Sequence, residues 1–549
     1  VLIVGGVAGG ASCAARLRRL DESAQIAMFD RGPYVSFANC GLPYYVGNVI
    51  SDERTLLVAS REMFRQRFNV EVHTETEVTA IDRSARTITV RDVRAGATRA
   101  ERYDVLVLSP GAAPIRPPLP GVDLPGVFAV RTIPDSRRIR AWIADRNAKA
   151  AVVVGGGFIG LEMVENLIHR GLSVIVLEKL PQVMPPLDPE MAVPLVEHLA
   201  AKGVQLHLGD GLARIEARAG GGLDVVSESG ARLPADLVIL AIGVRPETGL
   251  AKDAGLQIGP RGGIVVDAQM RTSDPNIWAV GDVVEVRDVL TGQETVLPLA
   301  GPANRQGRIA AESIAGRGTN FRGVQATAVV GVLGLTVAST GASEKGLRRA
   351  GVTGFQKVYL HPGHHAGYYP GARPIHLKLL FSVPEGRILG AQAVGFEGVE
   401  KRIDVIATAI QFRGTVHDLA EAELCYAPQF GAAKDPVNVA GMLAENVLNG
   451  DMPVAEWPDL GHTGALLLDV REPDEYADGH IPNAINLPLS QMRTRYGELP
   501  KDREIWICCR VGQRAYYAMR FLASHGYRAR NLSGGYTTYT ALKGAGLAP

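Results

Sequence analysis

The sequence predicts an α/β protein of several domains, and three observations predict it. Two segments, VLIVGGVAGGASCAARLRRL at 1–20 and AVVVGGGFIGLEMVENLIHRG at 151–171, each pass from a short apolar run through a glycine-rich turn into helical periodicity. From about 325 to 445 the pattern changes to apolar strands such as HLKLLFSV (376–383) and LGAQAVG (389–395), followed by the helix VEKRIDVIATAIQF (399–412). After 461 a new strand-led α/β module opens with ALLLDVREPDEY. At roughly 100–200 residues per domain, 549 residues accommodate three or four.

Composition narrows the function. With 58 basic and 57 acidic residues the net charge is +1, which argues against a nucleic-acid partner. No apolar run approaches 18 residues, so no membrane span is expected. The chain opens directly on a strand, without Met or a charged leader, so no signal peptide is expected and a few residues are expected to precede Val1. Five cysteines (Cys13, Cys40, Cys425, Cys508 and Cys509) are too few and too scattered for a disulfide scaffold. A reducing, cytoplasmic setting with one or two reactive thiols is the expectation.

The second glycine segment reads Gly155-x-Gly157-x-x-Gly160 between a strand and a helix that opens at Phe158 and Ile159. The first glycine makes the tight turn, the second lets the backbone approach a pyrophosphate, and the third lets helix and strand pack closely. The helix N-terminus then offers N–H groups to phosphate. Glu178 ends the next strand, 18 residues after Gly160, where a carboxylate accepts from a ribose 2′-hydroxyl and repels a 2′-phosphate. NADH is therefore favoured over NADPH, with Lys179 weakening that preference.

The first segment reads Gly5-Gly6-Val7-Ala8-Gly9-Gly10, with Asp30 twenty residues after Gly10 and Arg31 beside it. Val7 stands in the middle-glycine place. The segment TSDPNIWAVGDVV (272–284) resembles the second flavin motif of flavoproteins with two dinucleotide domains, which implies that Gly281 and Asp282 meet the ribityl chain. The resemblance implies two Rossmann-like domains: an FAD domain in two pieces, 1–114 and 243–322, interrupted by an NAD(P)-binding domain, 115–242. The crossings fall at PGAAPIRPPLPGV (110–122) and at AIGVRPET (241–248), which contains Gly243.

Six residues after Asp30 begins SFANCGLPYYVG (36–47), which places Cys40 ten residues after Asp30. In the pyridine nucleotide–disulfide reductases this region carries C-x-x-x-x-C. Here Tyr45 holds the second position, so Cys40 has no internal disulfide partner and can instead hold a mixed disulfide, a persulfide or a sulfenic acid. Its thiolate would be favoured by a helix N-terminus or positive neighbours. The GGVAGG and S-F-x-N-C-G-L-P-Y-Y runs resemble the coenzyme A-disulfide reductases over residues 1 to about 450. The resemblance implies that Cys40 forms a mixed disulfide with coenzyme A, that Ser36 and Asn39 lie near the reacting sulfur, and that two tyrosines of the other subunit assist. They match Tyr426 in ELCYAPQFGAAKDPVN and either Tyr368 or Tyr369 in HHAGYYPGA, with Tyr368 preferred as the first of the pair. Arg16, Arg19 and Lys434 match positions for the coenzyme A phosphates, and Arg67 is a further candidate. A homodimer built through an α+β dimerisation domain, 323–445, is also implied.

The pieces LDVREPDEYADGHIPNAINLPL (468–489) and ICCRVGQRAYYAMRFLASHGYRARNLSGGYTTY (507–539) resemble a rhodanese domain, here 461–549 after a linker at 446–460. The resemblance implies an active loop from Cys509 to Arg514, whose curled N–H groups and helix dipole stabilise a persulfide. Cys508 is expected in the strand, and Asp469 and Arg471 as braces. Cys13 and Cys425 are expected to be buried structural cysteines. His361, His364 and His365 are expected to border the Tyr368 loop, and no metal site is expected.

Joined, these parts imply a flavoprotein reductase of coenzyme A persulfide, coenzyme A disulfide or polysulfide, with Cys509 handling sulfane sulfur. Two alternatives stand beside it. One is an NADH oxidase or peroxidase using a Cys40 sulfenic acid, although the peroxidases carry His at the place of Ala8. The other is a sulfurtransferase in which the rhodanese end dominates.

Overall fold

In the computed structural model, residues 1–460, 462 and 464–548 are described; residues 461, 463 and 549, which include both ends of the predicted stretch 461–549, lie outside them. The chain divides into two units, Val1–Pro181 with Gln205–Val324, and Gln182–Val204 with the chain from Gln325 onward.

The first unit is organised by short all-apolar strands. Leu2–Val4 is buried at every position, as a central parallel strand covered on both faces must be. It lies in the middle of a parallel sheet ordered Ile277–Ala279, Leu106–Leu108, Leu2–Val4, Ile26–Phe29, Val70–His73. The sheet is thus completed by a strand that follows a second parallel sheet in the chain. That second sheet is ordered Gln205–Leu208, Ser173–Glu178, Ala150–Val154, Leu237–Leu240, Val127–Phe128. Between the two, Ala112–Pro114 pairs antiparallel with Val244–Pro246, so the outgoing and returning crossings lie side by side.

The second unit holds a five-stranded antiparallel sheet, ordered Ala328–Val332, Leu335–Gly341, Ile388–Gly395, Ile375–Ser382, Phe355–Leu360. Helix Val399–Gln411 packs on two of these strands and buries Ile403, Ile406 and Ile410 on one stripe. Downstream lies a parallel sheet ordered Val454–Ala455, Ala529–Leu532, Ile505–Cys508, Leu466–Asp469, Ile485–Asn486.

Residues 182–204, expected in the second dinucleotide domain, pack with the second unit. Buried charge holds them there. The fully buried Lys378 ammonium donates to Asp188 at 2.9 Å, to Glu190 at 2.6 Å and to Glu344 at 2.7 Å. The stretch 446–460 is not a linker. Its first residues finish helix Pro436–Leu448, Val454–Ala455 forms an edge strand, and buried Trp457 donates its indole N–H to the Ser533 carbonyl at 3.1 Å. Its polar and proline-rich composition hid a two-residue strand that only the parallel partner stabilises. No helix among the described residues is long and apolar enough to cross a membrane.

Candidate functional site

In the first unit, a cavity of about 820 Å³ runs along the C-terminal ends of the parallel strands. Gly5, Val7, Ala8, Gly9, Asp30, Arg31, Asn39, Gly281 and Asp282 line it. Gly6, Gly10, Ser36 and Gly243 do not. Gly10 serves the packing instead, because a Cβ there would strike the Gly5 carbonyl. Gly5 has φ +92°, and a Cβ on it would collide with the Ser109 carbonyl, so only glycine fits the turn. Val7, in the middle-glycine place, is the N-cap of helix Ala8–Arg18 with a negative φ of −101°. Ser36 holds a left-handed φ of 47° and donates its N–H to Gly6 at 2.7 Å, which ties the Cys40 segment to the glycine turn.

The second glycine turn repeats this construction. Gly155 has φ +106°, a Cβ on Gly160 would strike the Gly155 carbonyl, and Gly157 is the N-cap of helix Phe158–His169. The acidic residue at the end of the next strand plays the same part at both glycine turns. Asp30 accepts from Gly6 at 3.0 Å and from Gly32 at 2.8 Å. Glu178 accepts from Gly156 at 2.7 Å and from Leu180 at 2.8 Å. Each carboxylate oxygen keeps a lone pair for a ribose hydroxyl. Burial, only partly opposed by these N–H bonds, raises the Asp30 carboxyl above its ordinary range. The glycine cradles, the free lone pairs and the cavity fit FAD at the first turn and NAD(P)H at the second.

Cys40 is exposed and lies in a 3-10 turn, Asn39–Gly41, that leads into the short helix Leu42–Val46. Tyr45 occupies the place of a second cysteine, with its hydroxyl 3.2 Å from Glu53 and the Arg140 guanidinium 4.0 Å above its ring. The turn sets Cys40 just ahead of helix Leu42–Val46, but the charged side chains that act on it most are acidic. Partial burial raises the Cys40 thiol, and the charges of Glu162 and Asp282 raise it further. Burial, with Glu165 beside it, lifts Glu162 itself to about 7. The Glu162 carboxylate, on the second nucleotide helix, thus disfavours the ionised form of the Cys40 thiol.

Sequence reading missed Glu162, although a carboxylate two residues after Gly160, in the first turns of the nucleotide helix, was a usable signal. It also missed the arginines that hold the Cys40 helix by its C-terminal carbonyls. Arg140 donates to the Tyr45 carbonyl at 3.1 Å and Arg170 to the Val46 carbonyl at 3.0 Å. Replacing Glu162 by Gln should lower the pH midpoint of Cys40 alkylation by iodoacetamide. It should also raise thermal stability at pH 8 relative to pH 5. A carboxyl raised in the fold contributes stability below its unfolded value near 4.5 and loses it as pH rises through 7.

Of the predicted phosphate ligands, Arg19, Arg67 and Lys434 are exposed. Arg16 is already paired with Glu312 at 2.6 Å. Arg31 pairs with Glu247 at 2.6 Å. In the second unit the Tyr368 and Tyr426 hydroxyls lie 2.6 Å apart on an exposed surface, and Tyr369 instead stacks edge-on against His365. Cys425, expected to be buried, is exposed, because the segment before Tyr426 forms neither helix nor strand. Cys13 and Cys508 are buried.

Cys509 begins a loop between strand Ile505–Cys508 and helix Gln513–Ser524. Gly512, at φ +92°, donates its N–H to the Cys509 sulfur at 3.1 Å. Arg514 faces the sulfur, but its guanidinium is shared with Glu475 at 2.6 and 2.7 Å. Cys509 is fully buried, and Asp469 and Arg471 form a buried bidentate pair. His361, His364 and His365 form no metal cluster; among the described residues the one group of three potential ligands, Asp188, Glu190 and Glu344, already surrounds Lys378.

Residues 1–307 match the pyridine nucleotide-disulphide oxidoreductase family, and 327–435 match its dimerisation domain. The chain belongs to this family. Residues 456–542 match the rhodanese-like domain, which begins inside the stretch read as a linker. This oxidoreductase is similar throughout to the reduced Bacillus anthracis CoADR-RHD: 47% identity, TM-score 0.96, 99% of this chain and 98% of that one. It is similar to a NAD-dependent persulfide reductase from A. fulgidus at 37% identity and TM-score 0.91, over 98% and 99% of the two chains. A coenzyme A disulfide reductase of Staphylococcus epidermidis is 35% identical over 446 residues, 81% of this chain and 99% of that protein. An NADH oxidase of Methanocaldococcus jannaschii is 37% identical over 443 residues, 80% and 97% of the two. The family's fold, two Rossmann-like domains and an α+β dimerisation domain, here continues into the α/β rhodanese domain, and its members take FAD and NAD(P)H.

Proposed function

We propose that this oxidoreductase reduces sulfur–sulfur bonds of coenzyme A persulfide, coenzyme A disulfide or polysulfide through a mixed disulfide at Cys40, as a homodimer. The observation that carries this reading is an exposed thiol, next in sequence to the cavity-lining Asn39, whose sequence partner is a tyrosine. Bound FAD would supply the two electrons of NAD(P)H. The Cys40 thiolate attacks the coenzyme A-bearing sulfur, forms Cys40–S–S–coenzyme A and releases hydrosulfide from a persulfide or coenzyme A thiol from a disulfide. Two electrons and a proton then return Cys40 and a second thiol. In the dimer, the Tyr368–Tyr426 hydroxyl pair of one subunit is assigned to the thiol leaving Cys40 of the other, with Ser36 and Asn39 beside the sulfur. Cys509 handles the sulfane sulfur, its charge met by the Gly512 N–H and Arg514.

NADH is the assigned donor. Glu178 presents a carboxylate where the ribose sits, and Lys179, the one nearby cation in that segment, is paired with Glu228 at 2.9 Å. Arg19, Arg67 and Lys434 are assigned to coenzyme A phosphates; Arg16 would have to exchange Glu312 for phosphate.

The oxidase reading draws on the Methanocaldococcus similarity and on the same lone cysteine. One panel separates them: NADH and NADPH oxidation with coenzyme A persulfide, coenzyme A disulfide, polysulfide, oxygen and peroxide. The expected result is faster turnover with NADH and a coenzyme A sulfur substrate than with oxygen or peroxide. Faster turnover with oxygen would favour the oxidase.

A further inference from the structure

The back wall of the Cys509 loop is the double-glycine segment that follows strand Ala529–Leu532. Tyr536 donates its N–H to the Cys509 carbonyl at 2.7 Å and Thr537 to the Arg510 carbonyl at 3.0 Å. Gly535, at φ +60°, lies so close that a Cβ would strike the Cys509 carbonyl. This wall is held from its other side by residues of the antiparallel sheet. The Tyr359 N–H donates to the Ser533 hydroxyl at 2.9 Å. The His361 ring is wedged between Thr538 Oγ1 at 2.9 Å and His376 Nδ1 at 2.8 Å. Gly534 has no room for a Cβ between Tyr359 and Thr538. Ser533 and Thr538 are buried, and Tyr359 is anchored in turn by its hydroxyl on Glu190 at 2.8 Å.

We propose that the sulfur-carrying loop at Cys509 is positioned from outside the rhodanese domain, with His361 and Tyr359 as positioning residues that fix its Gly534–Gly535 wall. The inference rests on the reading that Cys509 carries sulfane sulfur. Burial and the neighbouring His376 hold His361 down to about 3, so the ring stays neutral and works as a fixed hydrogen-bonding wedge. A loop that must place several N–H groups on one sulfur is sensitive to sub-ångström shifts of its support.

The test uses the full chain with Thr538→Val, His361→Ala and His361→Gln. Thiosulfate and cyanide are the probes: Cys509 takes the sulfane sulfur and releases sulfite, then cyanide removes it as thiocyanate. Thr538→Val and His361→Ala should lower the kcat of thiocyanate formation about tenfold at a nearly unchanged KM, as a misplaced catalytic loop does. They should also shift the pH profile of Cys509 alkylation. His361→Gln, which keeps a donor and an acceptor, should restore most of the rate. NADH-dependent reduction of coenzyme A disulfide, which needs only Cys40, should stay within about twofold and marks an intact fold. An unchanged kcat and alkylation profile in both disruptive variants would overturn the inference. So would parallel loss of both activities, or failure of His361→Gln to restore the rate. Thiocyanate formation that survives Cys509→Ser would instead overturn the reading of Cys509.

Discussion

Replacing Cys40 by Ser is expected to abolish NADH-dependent reduction of coenzyme A persulfide and disulfide, a loss of about 10³-fold or more. A serine hydroxyl cannot form a bond to sulfur that two electrons then cleave, so no intermediate replaces the mixed disulfide. The substitution removes one atom's chemistry with little change of volume at an exposed position. The glycine turn and its cavity should stay intact, and the variant should purify with its flavin absorbance. Residual NADH oxidation by oxygen is expected to persist, because it does not need the thiol. Sulfur-substrate turnover near the wild-type rate in a flavin-loaded Cys40→Ser protein would refute the assignment.

The largest stability effect is expected at Lys378. Its ammonium is fully buried among Asp188, Glu190 and Glu344. Burial alone would raise Asp188 and Glu344, but Lys378 outweighs it and holds both below the ordinary carboxylate range. Replacing Lys378 by Met leaves the buried Asp188 and Glu190 carboxyls without this cation, while Glu344 keeps Lys357 and Arg348, at a cost of about 3–5 kcal/mol. The pH dependence should also invert. In the wild type, the depressed carboxyls contribute stability that is present above about pH 4 and lost as pH falls through their folded values. In Lys378→Met, burial acts on Asp188 without the cation that outweighs it, so stability should fall as pH rises from 5 to 8. Thermal melts at both pH values check this, and adding Glu190→Gln to Lys378→Met should recover part of the loss. Melting curves that match the wild type at both pH values would show that the cluster carries little of the fold.

What could be read ahead of the structure followed from local backbone demands. The turns at Gly5 and Gly155 need left-handed φ and no Cβ, and that demand is written in sequence as glycine at fixed spacing. The Cys40 segment and the Cys509 loop were legible for the same reason, each being one continuous run. Features made by distant pairing were not legible. Val454–Ala455 becomes a strand only because Ala529–Leu532 lies beside it. The start of helix Pro189–Ala201 is tied to a lysine almost two hundred residues away. The carboxylates that act on Cys40 were not legible either, since the local run contains no charge and they come from 162 and 282.

The central claim is that Cys40 exchanges directly with a coenzyme A disulfide bond. The protein is reduced with NADH, freed of small molecules and mixed with coenzyme A disulfide in the absence of a reductant. The mass of the Cys40 peptide and the coenzyme A thiol set free are then measured. The expected result is one coenzyme A joined to Cys40 per subunit, with one equivalent of thiol released and the adduct lost on adding NADH. An unmodified Cys40 under these conditions, or coenzyme A found instead on Cys425, would contradict it.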